Sequence, residues 1–211
     1  TPSVWGGGHA TIVSAMNAQK SIVTITALKK EQPNKSGEIA TSYRQGAGVI
    51  VDPSGIIITN LHTIAYMNQI EAKLYDGASF KAKIIHLMPQ HDLALLKINS
   101  PRSLIPIEFA DSNKVRLGQN IINAGHSKWL RNTLSGGKII GLGRNKIDNH
   151  LEILEINVDL YEGDSGGPVL DRQGRLLGIM TAKRNDRNNM SFAIPSNEIG
   201  KLYLDYLKRN R

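Results

Sequence analysis

The chain has 211 residues, of which 40% are hydrophobic and 21% charged, with no cysteine and a formal net charge of +8. This composition supports a folded core of one or two domains and excludes bulk disorder; the missing cysteines exclude disulfides, thiolate nucleophiles and cysteine-ligated zinc. No apolar run approaches the roughly 18 residues of a membrane span.

The net charge suits an anionic partner. Yet the basic residues are scattered, apart from Lys183-Arg184 with Arg187 and the terminal Lys208-Arg209-Asn210-Arg211. No nucleic-acid motif accompanies them, so no specific nucleic-acid partner is expected.

Thr1 to Gly8 lack a Met and any signal-peptide pattern, and read as a mature or trimmed terminus. His9 to Ala18 reads as a modest helix. Residues 1–20 are expected to be a separate N-terminal segment. Short runs rich in Ile, Val, Leu and Thr then recur between Gly, Pro, Asn and Asp, which is the pattern of many short strands. The expected strands are Ser21 to Leu28, Gly46 to Val51, Gly55 to Thr59, Ile70 to Tyr75, Ser79 to His86 and Leu93 to Ile98. After a connection near 100–111 come Asn120 to Ala124, Gly136 to Leu142, Ile153 to Val158, Pro168 to Leu170, Leu176 to Thr181 and Met190 to Ile194. Asp52-Pro53-Ser54-Gly55 and Asp171-Arg172-Gln173-Gly174 read as tight turns with Gly at a position suited to positive φ. Ser196 to Lys208 reads as an amphipathic helix with Ser196 as its cap and Ile199, Leu202, Tyr203, Tyr206 and Leu207 on one face. The fold class is therefore all-β, in two strand groups spanning 21–105 and 106–211, with a C-terminal helix outside them.

The segment richest in chemical signal is Gly163-Asp164-Ser165-Gly166-Gly167-Pro168. A nucleophilic Ser needs a tight turn that exposes its hydroxyl and lets backbone N–H groups converge on a substrate carbonyl. The turn Gly163, Asp164, Ser165 would supply that oxyanion hole through the N–H groups of Gly163 and Ser165. A Ser hydroxyl also needs a base, usually His, and a group that holds the His. Of six histidines, His62 follows the run Ile56-Ile57-Ile58-Thr59-Asn60-Leu61 at a strand end, where it reaches a cleft. His86 sits inside a strand, His9 and His150 in polar segments and His126 in a loop. Asp92 stands at the mouth of the apolar run Leu93-Ala94-Leu95-Leu96, where a half-buried carboxylate needs hydrogen-bond partners. Taken alone, Asp92 reads better as a strand cap satisfied by backbone N–H groups.

Thr59-Asn60-Leu61-His62-Thr63-Ile64, His91-Asp92-Leu93-Ala94-Leu95-Leu96 and Gly163-Asp164-Ser165-Gly166-Gly167-Pro168 resemble, in this order, the three signatures of trypsin-like serine proteases. His62 precedes Asp92 by 30 residues, and Asp92 precedes Ser165 by 73. The run Gly46 to Asn60 and the segment Ser191-Phe192-Ala193-Ile194-Pro195-Ser196 are similar to the bacterial HtrA/Deg branch. The likeness runs from about Ser21 to Leu207. It implies two perpendicular six-stranded β-barrels with His62, Asp92 and Ser165 in the cleft between them. It also implies an acyl-enzyme mechanism on protein or peptide substrates, with no cofactor. Its further implications are a bacterial periplasmic or envelope location, a homotrimer formed through residues 1–20 (a linker otherwise) with Trp5 and Ile12 as contact candidates, and a membrane tether or PDZ domain outside the sequence shown.

The sequence departs from that branch in places. Deg-like proteases usually have Asn before the nucleophile, whereas this chain has Asp164, which needs a partner or solvent. The resemblance places the substrate pocket at Asp159, Tyr161, Thr181, Ala182, Lys183 and Ser191. Asp159 stands where trypsins select basic residues, but Lys183 could cancel its charge, and Tyr161, Lys183 or Ser191 would narrow the pocket. His91 is the residue a metal would use, yet successive strand residues face opposite ways and no second His stands at ligand spacing. No metal site is therefore expected. The alternative to an active endopeptidase is a catalytically silent pseudoprotease on the same fold, a binding module that could also bind metal, as the resemblance to magnetosome-associated relatives of the branch implies.

Overall fold

The computed structural model describes residues 9–30, 41–127, 130–144, 152–158, 163–183 and 190–210. All twelve expected strands form. The first six are β1 (Ile22–Lys30), β2 (Thr41–Asp52), β3 (Ile56–Asn60), β4 (Gln69–Lys73), β5 (Ser79–Met88) and β6 (Leu93–Ile98). They close into an antiparallel barrel in the order β1-β2-β3-β6-β5-β4. The second six are β7 (Asn120–Ser127), β8 (Leu130–Arg144), β9 (Glu152–Ile156), β10 (Pro168–Leu170), β11 (Leu176–Lys183) and β12 (Ser191–Pro195). They close in the order β10-β11-β12-β9-β8-β7. Among the described residues three α-helices accompany them: α1 (His9–Ala18), α2 (Leu61–Ile64) and α3 (Ser196–Arg209). The all-β, two-barrel expectation holds. The main differences are in length: β2 begins at Thr41 and β8 at Leu130, several residues before the apolar runs that announce them.

Strand alternation divides the apolar side chains among three cores. Ile57, Ala94, Leu96 and Ile98 point into the first barrel with Val23, Ile25 and Ala72. Ile121, Ile139, Ile156, Val169 and Met180 fill the second. The opposite faces of the same strands supply Ile56, Ile58, Leu93 and Leu95, which meet Ile122, Leu170, Ile179 and Ile194 between the barrels. Strand β6 is thus buried on both faces, which explains why Leu93-Ala94-Leu95-Leu96 is continuously apolar rather than alternating. The core between the barrels fixes one barrel against the other, and the candidate residues stand at that seam.

Both tight turns form as expected. Gly55 N–H bonds Asp52 O and Gly174 N–H bonds Asp171 O, each at 3.0 Å, with both glycines at positive φ. Gly174 has a second reason to be Gly: a Cβ there would lie 2.5 Å from Ser14 O of α1. Helix α1 packs Ala15 and Ala18 into the inter-barrel core. Trp5 and the side chain of Ile12 lie outside the described residues.

The capping expectation at Ser196 is corrected. Pro195 is the N-cap of α3, and Ser196 is its first helical residue. Ser196 is fully buried, and its hydroxyl donates to Ala110 O at 2.7 Å, a carbonyl that would otherwise lie buried without that donor. The helix start is tied further by Asn197 Nδ2, which donates to Asp111 Oδ1 at 2.8 Å. The expected apolar face packs inward through buried Ile199 and through Leu202, Tyr203 and Tyr206 against the inter-barrel core, while Leu207 lies outside that cluster. Tyr203 donates its hydroxyl to Asp52 Oδ2 at 3.3 Å, and Tyr206 lies against His86 with ring centroids 5.4 Å apart. Helix α3 packs on β11 and β12 of the second barrel and reaches the first through Tyr203 and Tyr206.

Candidate active site

His62 lies in α2, directly after β3. Asp92 lies between a short 3₁₀ turn and β6, in a left-handed conformation with φ 50° and ψ 37°. Strands β3 and β6 pair with Asn60 opposite Leu93, so the two loops are brought side by side. Asp92 Oδ2 is 2.7 Å from His62 Nδ1, and Asp92 Oδ1 accepts the His62 backbone N–H at 3.0 Å. The backbone carbonyl of Asp92 accepts Leu61 N–H at 2.9 Å and Asn60 Nδ2 at 3.1 Å. These bonds favour the left-handed backbone, which is uncommon outside Gly and costs of order 1–3 kcal/mol. Tyr66, with φ 65°, is the other non-Gly residue at positive φ among the described residues. It closes the turn after α2, so one strained position follows the helix that carries His62 and the other is the residue bonded to it.

A third group reaches Asp92 from the other barrel. Thr181 on β11 donates its hydroxyl to Asp92 Oδ2 at 2.8 Å. Thr181 is among the residues assigned to the substrate pocket by sequence; its hydroxyl is directed to the carboxylate beside His62. His91, adjacent to Asp92, faces elsewhere: its Nε2 is 3.3 Å from Glu198 Oε1 of α3. Among the described residues no group of three His, Cys, Asp or Glu could hold a metal ion.

Ser165 is half-buried on the turn before β10. Its carbonyl accepts Ala47 N–H of β2 at 2.8 Å, which ties the turn to the first barrel. Gly166 N–H bonds Met180 O and Gly167 N–H bonds Asp164 O, both at 2.9 Å. Among the described residues, the N–H groups of Gly163 and Ser165 donate to no backbone carbonyl, unlike these two neighbours. The small residues are required by close approach. A Cβ on Gly166 would lie 2.1 Å from Ala47 O, at φ +85°. A Cβ on Gly46 would lie 2.6 Å from Thr63 Cγ2 and 3.0 Å from Ser165 O. Gly46 thus stands where the residue after His62 and the carbonyl of Ser165 converge. Asp164 is 3% exposed, which excludes the solvated alternative for its carboxylate.

The rest of the expected pocket is described in part. Asp159 and Tyr161 lie outside the described residues, as do the side chains of Ala182 and Lys183, although β11 continues through both. Ser191 is fully buried and donates its hydroxyl to Val158 O at 2.6 Å, holding the chain just before Asp159 against β12. A groove of about 490 Å³ around Asp111, Lys114, Asp171 and Arg175 is lined by none of these residues. Its charges pair with one another, Arg175 with Asp171 at 2.8 Å and Lys114 with Asp111 at 3.3 Å.

Residues 46–179 match the family model of the trypsin-like peptidase domain. The chain is similar to the periplasmic serine endoprotease DegP of Salmonella typhimurium, with 34% identity over 163 residues, 74% of this chain and 34% of the relative. Its likeness to the periplasmic serine endoprotease DegP of Escherichia coli is 33% identity over 175 residues, 80% of this chain and 37% of the relative. The chain therefore spans about a third of the length of these relatives. The solved structure of the HtrA-type protease AlgW with tripeptide superposes with a TM-score of 0.83 at 24% identity, covering 95% of this chain and 64% of that one. At that identity the superposition bears on the fold.

Proposed function

The chain belongs to the trypsin-like peptidase domain family, in its HtrA/Deg-like branch, and on that premise we propose that it is a serine endopeptidase domain with His62, Asp92 and Ser165 as its triad. The observation that carries this reading is the hold on His62. Asp92 meets its Nδ1 at 2.7 Å and is itself gripped by Thr181 from the second barrel. With Nδ1 committed to the carboxylate, Nε2 is left to take the Ser165 proton.

The proposed reaction assigns each of these groups a role. Ser165 Oγ attacks the peptide carbonyl while His62 Nε2 takes its proton. Asp92 stabilises the imidazolium that forms, and the N–H groups of Gly163 and Ser165 receive the developing oxyanion. His62 then protonates the leaving amine, and a water activated by the same base releases the acyl group. A positioned base of this kind contributes about 10²–10⁴-fold, and each oxyanion donor about 2.7–4 kcal/mol.

Denatured protein is the proposed substrate, and the envelope of a bacterial cell the proposed location, in keeping with relatives named periplasmic endoproteases. Ser191 holding Val158 against β12 supports a shallow pocket for small aliphatic side chains. Helix α1 leaves Val13 and Met16 about half exposed, which suits self-association into a trimer. The reading is tested by incubating denatured casein with the wild type and with Ser165→Ala, then mapping the cut sites. Ser165-dependent cuts after Val, Ala or Leu are expected. Cuts mainly after Lys or Arg would overturn the shallow pocket, and no Ser165-dependent cuts would overturn the endopeptidase in favour of a binding module.

A further inference from the structure

Helix α2 is a single turn, so its C-terminal carbonyls have no partner within the helix. Two of them are met from outside by one side chain. Arg44 Nη1 on β2 donates to His62 O at 2.6 Å and to Ala65 O at 3.1 Å. Ala65 immediately precedes Tyr66, the left-handed residue that ends this turn and stands 85% exposed. Packing of the Tyr66 side chain therefore does little to hold that backbone. The guanidinium, always charged and with its donors in a fixed plane, grips both ends of the segment from His62 to Ala65.

The same strand holds the nucleophile. Two residues after Arg44, Gly46 passes between Thr63 and Ser165 O, and Ala47 N–H then donates to Ser165 O at 2.8 Å. Arg44, Gly46 and Ala47 of β2 thus fix the carbonyl of the proposed base and the carbonyl of the proposed nucleophile relative to each other. Arg44 itself is exposed, and barrel packing does not require it. No feature of the sequence singles it out.

We propose that Arg44 is a positioning residue: through its bonds to His62 O and Ala65 O it sets the His62 ring against Asp92 and Ser165. The proposal rests on His62 being the base of the serine endopeptidase reading. A residue that acts by orienting the base, without touching substrate, changes kcat and leaves KM alone. A displacement of about 1 Å at the base lowers the rate by up to roughly a hundredfold.

The test compares wild type, Arg44→Met and Arg44→Lys in the whole chain. Arg44→Met keeps the side-chain length but loses the donors; Arg44→Lys restores a cation able to bridge two carbonyls. Casein-derived peptide hydrolysis should show kcat reduced by roughly tenfold to a hundredfold in Arg44→Met with KM unchanged, and largely recovered in Arg44→Lys. The downfield proton resonance of His62 Nδ1–H, bonded to Asp92, should broaden or vanish in Arg44→Met and return in Arg44→Lys. Unchanged kcat and an unchanged resonance in Arg44→Met would overturn the proposal, as would a rate loss that merely tracks a fall in the fraction folded. If the wild type proves inactive, the endopeptidase reading fails, but the resonance still decides whether Arg44 sets the His62–Asp92 contact.

Discussion

Thr181 donates its hydroxyl to Asp92 Oδ2 at 2.8 Å, the same oxygen that lies 2.7 Å from His62 Nδ1. Thr181 belongs to the second barrel and Asp92 to the first. The bond therefore registers one barrel against the other at the group on which the orientation of His62 depends. A substitution at Thr181 should act on catalysis more than on stability. Thr181→Val keeps the shape and removes the donor. A bond to a charged group contributes about 1.5–3 kcal/mol, so kcat/KM should fall roughly tenfold to a hundredfold. Thr181→Ser, which keeps a hydroxyl, should retain most of the activity. Peptide hydrolysis alongside thermal unfolding separates the two effects.

The turn at Ser165 should tolerate no added methyl at Gly166. A Cβ there would lie 2.1 Å from Ala47 O and 2.8 Å from Thr59 Oγ1, which itself donates to Ala47 O at 2.7 Å. The backbone also sits at φ +85°. Gly166→Ala is expected to destabilise the chain by more than about 2 kcal/mol in urea unfolding, through overpacking and backbone strain together. Gly77→Ala is the control. It shares a positive φ of +91° but meets nothing within 4 Å, so it carries the backbone cost of about 1–2 kcal/mol alone.

Helix α3 should make stability fall at the alkaline end. Burial, then the nearby Asp52 carboxylate, push the Tyr203 hydroxyl up to about 12 from its ordinary 10.0. A group whose pKa is raised on folding contributes stability that is fully present below the unfolded value and is lost as pH rises through the folded one. The Tyr203 contribution is therefore present below pH 10 and disappears toward pH 12. Unfolding midpoints of wild type and Tyr203→Phe should converge over that window. A constant difference between them would contradict this linkage. The acid end has the opposite sign. The Ser54 hydroxyl holds the Asp52 carboxyl below its usual value of 3.8, so its contribution is present above that value and is lost as pH falls further.

Metal removal should leave activity intact. His91 Nε2 contacts Glu198 Oε1 at 3.3 Å, and Glu198 also lies 3.6 Å from Lys201 Nζ. His91 thus serves the docking of α3. Dialysis against EDTA is expected to change casein hydrolysis by nothing measurable, and His91→Gln to cost about 1 kcal/mol or less in stability. Recovery of a lost activity on adding a divalent metal would refute this.

The strands were legible because their apolar runs are short, rich in branched residues and divided by turn residues, and Gly55 and Gly174 mark turns that form as expected. His62 and Asp92 were legible as a pair through their motifs, and the structure brings them within hydrogen-bonding distance. What sequence did not reveal depends on contacts between distant segments. The left-handed turn at Asp92 follows from bonds to Leu61 and Asn60, 31 and 32 positions away. Ser196 has the composition of a cap, but burial beside Ala110 O gives its hydroxyl a different acceptor. Thr181 is assigned to the pocket by resemblance, and its bond to Asp92 becomes visible only when the barrel seam is seen. Arg44 gives no signal, because an exposed Arg on a strand end is an ordinary surface residue until α2 is seen against it.

The central claim is that His62, held by Asp92 and Thr181, activates Ser165. Covalent labelling with a fluorophosphonate tests it without regard to substrate preference, since the probe needs an activated Ser and an oxyanion hole and little else. The wild type should label stoichiometrically at Ser165, His62→Ala should label at least about a hundredfold more slowly, and Ser165→Ala should not label. Folded wild-type protein that labels no faster than His62→Ala would contradict the account.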